Sequence, residues 1–336
     1  MRILVTGGAG FIGSNFVRHL RAEHPEDEVT VLDKLTYAGN LANLDGVSGV
    51  EFIRGDICDR EPLRDFLARH PVDAVVHFCA ESHVDRSIHG AEDFVRTNVL
   101  GTQVLLDAVR EVGVQRFIHV STDEVMGDLG PEDPPFTEES PIQPRSPYAA
   151  SKAGGEMLVL AAHRTHGFPV VVVRPSNNYG PFQHIEKFVP TAILRAIAGQ
   201  EIPVYGDGLN VRDWLYVEDC CRAIDLALRR GSPGEVYCVG SSSEVSNLAV
   251  ARRVIDLVGG GSIRHVVDRP GHDRRYAVCA DKMREIGWRP RISSFVEGLR
   301  ETVRWYLDNE AWWRPILSGE YRQWVDRNYV RRGDRP

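Results

Sequence analysis

Met1-Arg2-Ile3-Leu4-Val5-Thr6-Gly7-Gly8-Ala9-Gly10-Phe11-Ile12-Gly13 decides the fold of this chain. A β-branched apolar run (3–6) passes straight into glycines at 7, 10 and 13, and a pattern of helical period (12–22) follows. Glycines at that spacing let the backbone turn sharply and approach a pyrophosphate, while the helix start offers unpaired N–H groups and the positive end of its dipole. A glycine triplet alone also fits a tight surface turn, so the flanking strand and helix carry the weight. Asp33 closes the next strand pattern (29–32), 20 residues past Gly13, where a carboxylate accepts from both adenosine ribose hydroxyls and repels a 2′-phosphate. NAD is therefore expected over NADP, although Lys34 beside it adds an opposing charge. Asp56-Ile57, at the end of the third strand pattern, is expected to flank the adenine.

Moving outward, short apolar runs (74–78, 117–121, 170–174) alternate with helical patterns (63–69, 94–112, 147–165). Runs that are apolar throughout, rather than alternating, are buried on both faces and imply a parallel sheet covered by helices. The fold class is α/β, a doubly wound parallel sheet of Rossmann type. After about residue 175 short strands (202–205, 214–217, 236–239) mix with helices (187–198, 219–230, 247–258, 295–309) and Gly/Pro-rich turns. We expect a dinucleotide-binding domain over 1–175 and a smaller mixed α/β substrate domain over 176–330, with later segments free to return to the first. The charged tail, 327–336, is expected to fray.

The chain has 336 residues with 40 basic against 47 acidic, a net charge of −7. That length buries an ample core without disulfides or a structural metal. No apolar run approaches the roughly 20 residues of a membrane span, and the opening run is too short for a signal-peptide core. A cytoplasmic protein is expected. The six cysteines form no CxxC pair, which argues against zinc or disulfides, and the negative charge without a basic stripe argues against nucleic acid.

Tyr148 and Lys152 lie four apart on a predicted helix, hence on one face. Moving a phenol from near 10 to near neutrality takes about 4 kcal/mol, which an ammonium and a cationic nicotinamide would supply. Ser121-Thr122-Asp123-Glu124 stands at the carboxyl end of the fifth strand pattern, where open α/β sheets bind ligands. Ser121-x-x-Glu124 also fits a helix capping box. Chemically, two neighbouring carboxyls force their pKa values apart, leaving one acid and one base, a pair able to eliminate water.

With these residues on the page, the chain resembles the dTDP-glucose 4,6-dehydratases of the extended short-chain dehydrogenase/reductase family over nearly its whole length. The resemblance rests on Gly7–Gly13, DKLTYAGN (33–40), AESHVDRS (80–87), STDE (121–124), YAASK (148–152), NNYGP (177–181), YGDGLNVRDW (205–214) and RPGHDRRY (269–276). It implies that Tyr148 deprotonates the glucose 4-hydroxyl with Thr122 and Lys152 assisting, that Glu124 removes the C5 proton, and that Asp123 protonates the departing C6 hydroxyl. NAD would stay tightly bound and be regenerated each turnover. Cofactor contacts would come from Gly7, Gly10, Phe11, Ile12, Gly13, Asp33, Lys34, Thr36, Gly39, Asp56, Ile57, Ala80, Ser82, Asn98, Ser121, Tyr148, Lys152 and Asn177. The nucleotide-diphosphate sugar would meet Ser82, His83, Thr122, Asn178, Glu186, Lys187, Pro203, Tyr205, Arg212, Asn247, Arg269, His272 and Tyr276. No metal is expected, and His83 reads as a supporting histidine. Arg274 and Arg275 read as solvated, and Trp305, Tyr306, Trp312 and Trp313 as packing. A homodimer through a four-helix interface is also implied. Met126, where the family usually has tyrosine, is expected to loosen packing beneath the site, and Cys79 replaces a small residue before Ala80.

Two other readings share these motifs. A nucleotide-sugar 4-epimerase or decarboxylase has the glycine fingerprint and the Tyr-Lys pair but no use for Asp123-Glu124. A non-catalytic NAD-binding scaffold would have no need to keep all five catalytic groups.

Overall fold

The computed structural model describes residues 1–292 and 294–317; the tail, 327–336, lies outside them. Six strands follow one another through the first half: β1 (Arg2–Thr6), β2 (Glu28–Asp33), β3 (Val50–Arg54), β4 (Ala74–His77), β5 (Arg116–Val120) and β6 (Val170–Pro175). With a seventh, Val236–Val239, they form one parallel sheet in which β1 lies between β2 and β4, and β6 between β5 and the seventh strand. Chain order reverses at the β1/β4 junction, the crevice where such sheets take ligands.

Alternate side chains of each strand enter different cores, as the uniformly apolar runs require. Ile3, Val5, Val31, Val76, Ile118 and Val173 pack under the helices Phe11–Glu23 and Val217–Arg230. Leu4, Leu32, Val75, Phe117 and Val172 face Arg60–Arg69, Thr102–Glu111 and Pro147–His166. At roughly 25 cal/mol per Å² of apolar surface, these two layers are the main stabilising contribution.

The expected helix over 94–112 is instead three pieces, Glu92–Val95, a π-helical turn Arg96–Gly101 and Thr102–Glu111. The wide turn has a packing partner, since a Cβ on Gly155 of the neighbouring helix would fall against the Asn98 carbonyl. Pro147–His166 starts where predicted. Ser146 caps it by accepting from the Ala149 N–H at 3.1 Å, proline takes the first position, and Gly167 ends it at φ +66°.

After β6 the chain builds a smaller lobe from a three-stranded sheet (Asn177–Tyr179, Val211–Tyr216, Glu244–Ser246) and a parallel pair (Glu201–Tyr205, Ser262–Val266). Its own core gathers Tyr179, Trp214, Val250, Leu299 and Tyr306. The C-terminal aromatics are tied in individually: the Tyr306 hydroxyl donates to the Gln183 carbonyl at 2.5 Å, and the Trp312 indole donates to Asn43 at 2.7 Å. Between these pieces the chain returns to the large sheet, contributing the helix Val217–Arg230 and the strand Val236–Val239. A cut at 175/176 therefore passes through a shared layer.

Candidate active site

β1 ends because Gly7 turns at φ +74°, where a Cβ would stand 2.6 Å from the Cys79 amide nitrogen. Gly13 is needed for a different reason: its Cβ would overlap the Gly7 carbonyl oxygen and separate the helix from the strand it leaves. Gly10 is less crowded, since an added Cβ would press only that oxygen, at 3.3 Å, and Gly10 lines the cavity. Asp33 is held by N–H groups of Ala9 (3.0 Å) and Leu35 (2.8 Å). Lys34 turns aside to Asp56 at 2.6 Å, so its charge is neutralised and does not favour a 2′-phosphate.

These groups line one end of a continuous cavity of about 370 Å³ that runs along the carboxyl ends of β1, β4, β5 and β6 into the smaller lobe. The backbone cradle and the Asp33 carboxylate fit a dinucleotide. Ser176 Oγ, Asn177 Oδ1 and Asn178 Oδ1, also on the wall, are buried with no partner among the described residues. Polar atoms left so are normally satisfied by something that binds.

Midway along the cavity Tyr148, Lys152, Thr122, Asp123 and Glu124 come together. Thr122, not Ser121, caps the short turn Asp123–Met126, with the Glu124 N–H donating to its hydroxyl at 3.3 Å. Ser121 instead donates to Glu156 at 2.6 Å, and Glu156 is bound at 3.1 Å by buried Arg174. The capping alternative thus shifts by one residue and leaves Asp123 and Glu124 facing the cavity. Burial, then Glu124, then Asp213 push the Asp123 carboxyl far above the usual range, so it keeps its proton. Burial also raises Glu124, but Arg269, Lys187 and Arg212 pull against that rise. The surroundings of the two carboxyls therefore differ, with cations opposing the rise at Glu124 more than at Asp123.

Tyr148 is raised by burial and by the Glu124 charge, with a hydrogen bond to Thr122 opposing. Lys152, lowered by burial to about 8, donates to the Val120 carbonyl at 2.7 Å. The protein's own surroundings thus raise the phenol rather than lower it, against the expected drop. Beneath Lys152, His77 and His119 pair across β4 and β5, both kept neutral by burial, His77 at about 3. The Thr102 hydroxyl already donates to the Asn98 carbonyl, so at 3.1 Å from His77 Nε2 it accepts, which makes Nε2 the protonated nitrogen.

In the smaller lobe, Arg269 Nε is buried without a partner among the described residues, and Arg212 lies 4.3 Å over the Tyr276 ring. Both arginines reach the wall and suit a diphosphate. Arg274 and Arg275 pair with Asp207 and Glu244 instead. All the expected contact residues line the cavity except two. Asn98 sits behind it, bonding the Glu81 backbone at 2.9 and 3.0 Å and the Ser151 hydroxyl at 2.8 Å. Tyr276 is buried under Arg212 with its hydroxyl donating to Asp273. Both are supports, because their polar atoms are spent on protein groups. Sequence reasoning missed Glu81 and Asp85, which also line the wall. Asp85 takes the Tyr205 hydroxyl at 3.2 Å and faces Arg269 at 3.9 Å; AESHVDRS contained both acids but gave no local sign of which faced inward. Met126 does not loosen its surroundings: it is 2% exposed, packed with Val125, Phe136 and Val278.

A parallel sheet with a glycine turn at its switch point, and a Tyr-Lys pair opening toward a second lobe, define an extended short-chain dehydrogenase/reductase. The chain belongs to the GDP-mannose 4,6 dehydratase family, whose pattern matches residues 4–302. It is 54% identical over 328 residues to a dTDP-glucose 4,6-dehydratase of Streptomyces niveus, covering 95% of this chain and 96% of that protein. A Streptomyces antibioticus protein of the same description is 52% identical over 94% and 95%. The crystal structure of DesIV, a dTDP-glucose 4,6-dehydratase from Streptomyces venezuelae with NAD bound, superposes with a TM-score of 0.90 at 50% identity, covering 94% of this chain and 100% of that one.

Proposed function

We propose that this chain is a hydro-lyase that converts dTDP-glucose to dTDP-4-keto-6-deoxyglucose and water with a resident NAD. The observation that carries this reading is the buried pair Asp123 and Glu124, one held protonated and the other flanked by cations, sharing a cavity with Tyr148. An epimerase has no work for such a pair. The thymidine nucleotide is taken from the relatives.

The glycine cradle and Asp33 would hold the dinucleotide, which when bound would supply a hydride acceptor for sugar C4 and a hydride donor for C6. Tyr148 accepts the O4 proton, with Thr122 bonding the same oxygen. Lys152 exchanges its backbone carbonyl for the phenolate and a ribose hydroxyl. Once C4 is a ketone the C5 proton is acidic, and Glu124 removes it. Asp123 then gives its proton to the C6 hydroxyl, which leaves as water, and Glu124 returns the proton it took to C5 as C6 is reduced. Arg212 and Arg269 anchor the diphosphate, and that remote binding energy orients the hexose.

Incubation with dTDP-glucose and with UDP-glucose, followed by mass spectrometry and alkaline absorbance, tests the reading. Loss of one water from the first sugar nucleotide supports it; a C4 epimer of unchanged mass overturns it.

The reading also includes a homodimer built on the helices over 94–112 and 147–165. Val95, Leu100 and Met157, on those segments, are 52%, 52% and 41% exposed, an apolar face suited to burial. Six free thiols suit a reducing, cytoplasmic compartment, and among the described residues no helix is long and apolar enough to cross a membrane.

A further inference from the structure

On the side of the large sheet covered by Phe11–Glu23 and Val217–Arg230, a second group of chemistry-bearing residues converges. His19 lies in the first of these helices, His24 forms its C-terminal cap, and Asp225 projects from the second. The Nε2 atoms of both histidines point at one oxygen, Asp225 Oδ2, at 3.2 and 2.9 Å. All three potential ligand atoms lie within 4.8 Å of one another. We propose that His19, His24 and Asp225 form a site for a divalent first-row transition metal of the zinc type, separate from the catalytic cavity.

The geometry suits such an ion. Zinc takes imidazole nitrogen and carboxylate oxygen at about 2.0–2.2 Å, which puts ligand atoms about 3.3 Å apart in a tetrahedral shell. The His–Asp separations need to open by only a few tenths of an ångström. Three protein ligands leave a fourth place for water, and side-chain exposures of 16%, 23% and 12% give solvent a way in. The surrounding groups hold the ligands in place, as outer partners of metal sites do. Arg229 Nε donates to the other oxygen of Asp225 at 2.7 Å, fixing the carboxylate. Glu26 lies 3.8 Å from His24 Nδ1, the nitrogen left over for orientation. Arg229 also reaches Asp27 at 2.7 Å, so its charge is shared between two carboxylates and does not oppose the ion alone. Imidazole and carboxylate donors without thiolates favour zinc, nickel, copper or cobalt over magnesium.

A metal here would staple the helix that follows β1 to the helix that returns about 200 residues later. It would therefore act on stability, with the catalytic residues untouched. The test is calorimetric titration of the full-length, chelator-stripped protein with zinc chloride at pH 7.5, beside His24→Ala and the double variant His19→Ala/His24→Ala. The proposal expects one equivalent bound at micromolar affinity in the parent protein. It also expects a melting midpoint raised by about 5 °C at a hundredfold excess over the dissociation constant. In the single variant the affinity should fall at least about tenfold and the midpoint shift to about half or less at the same zinc concentration; in the double variant both should vanish, while circular dichroism and dehydratase activity stay at parent levels. Absence of stoichiometric binding overturns the proposal, and so does equal binding by the double variant. A variant that fails to fold leaves the parent titration as the deciding measurement.

Discussion

The two ends of the catalytic cavity are built in opposite ways. The dinucleotide end is mostly backbone: Gly7, Gly10 and Gly13 act through what they lack, and Asp33 is fixed by two backbone N–H groups, that of Ala9 in the glycine turn and that of Leu35 just after Asp33 in sequence. The sugar end is all side chain, with Glu124, Lys187, Arg212 and Arg269 drawn from four distant segments and balanced against one another by charge. A backbone site is set once the strand and helix form. A side-chain site depends on the whole smaller lobe arriving, and its protonation states are collective.

The largest effect should come from the side-chain end. Asp123→Asn is expected to slow water elimination by about 10³-fold, while C4 oxidation, followed as transient reduced cofactor, changes far less; equal slowing of both steps would reject the acid role. The same variant should melt higher. In the native state Asp123 keeps a proton that the unfolded chain gives up near 3.8, so stability is lost as pH rises from there toward the raised native value. The amide has no proton to hold, and its advantage in thermal denaturation should be larger at pH 8 than at pH 5.

At the backbone end, Gly13→Ala and Gly10→Ala should part company. The Gly13 Cβ meets main chain, and about 3 kcal/mol of folding stability should go with it. Gly10→Ala should denature in urea almost as the parent does but bind NAD about 10²-fold more weakly, because its methyl intrudes on the ligand's side. Equal stability losses would show that both glycines serve the turn.

Between the two ends lie His77 and His119. Their native pKa values are lowered, so below about 6.5 the unfolded chain takes up protons that the native one refuses, and stability falls with pH toward His77's value of about 3. Neither His119 nitrogen has a partner among the described residues. His119→Leu should therefore flatten the decline in urea midpoint between pH 6.5 and 4. Smallest of all, Met126→Leu should cost less than about 1.5 kcal/mol, since it nearly conserves volume in a closed pocket; a larger loss would mean that the 3.5 Å approach of Arg174 to its sulfur matters.

The same contrast explains what could be read from the sequence. The central strands β4, β5 and β6 are almost entirely buried and mostly apolar, so their runs stood out, and the glycine turn is a local motif. Ser262–Val266 escaped because three of its five residues are exposed and nothing in SIRHV alternates cleanly. The π-helical turn escaped because its partner, Gly155, lies more than fifty residues away. Asn98 and Tyr276 were placed one layer too far forward, since a motif shows that a residue belongs to a site without showing whether it faces the ligand or the residue that does. Adjacency suggested that Asp123 and Glu124 would differ in proton affinity, but the cations that pull against the rise of Glu124 come from residues 187, 212 and 269.

The strand Val236–Val239 carries one more implication, for the order in which the protein is made. Until a ribosome has delivered it, β6 has a bare hydrogen-bonding edge made of valines, a surface on which nascent chains aggregate. The first 175 residues hold the glycine turn and Asp33, but the sheet they build is completed only by Val236–Val239. The chain must pass through Asn177–Tyr179, Glu201–Tyr205 and Val211–Tyr216 of the smaller lobe before the larger sheet can close, so the two lobes are interleaved in synthesis as they are in space.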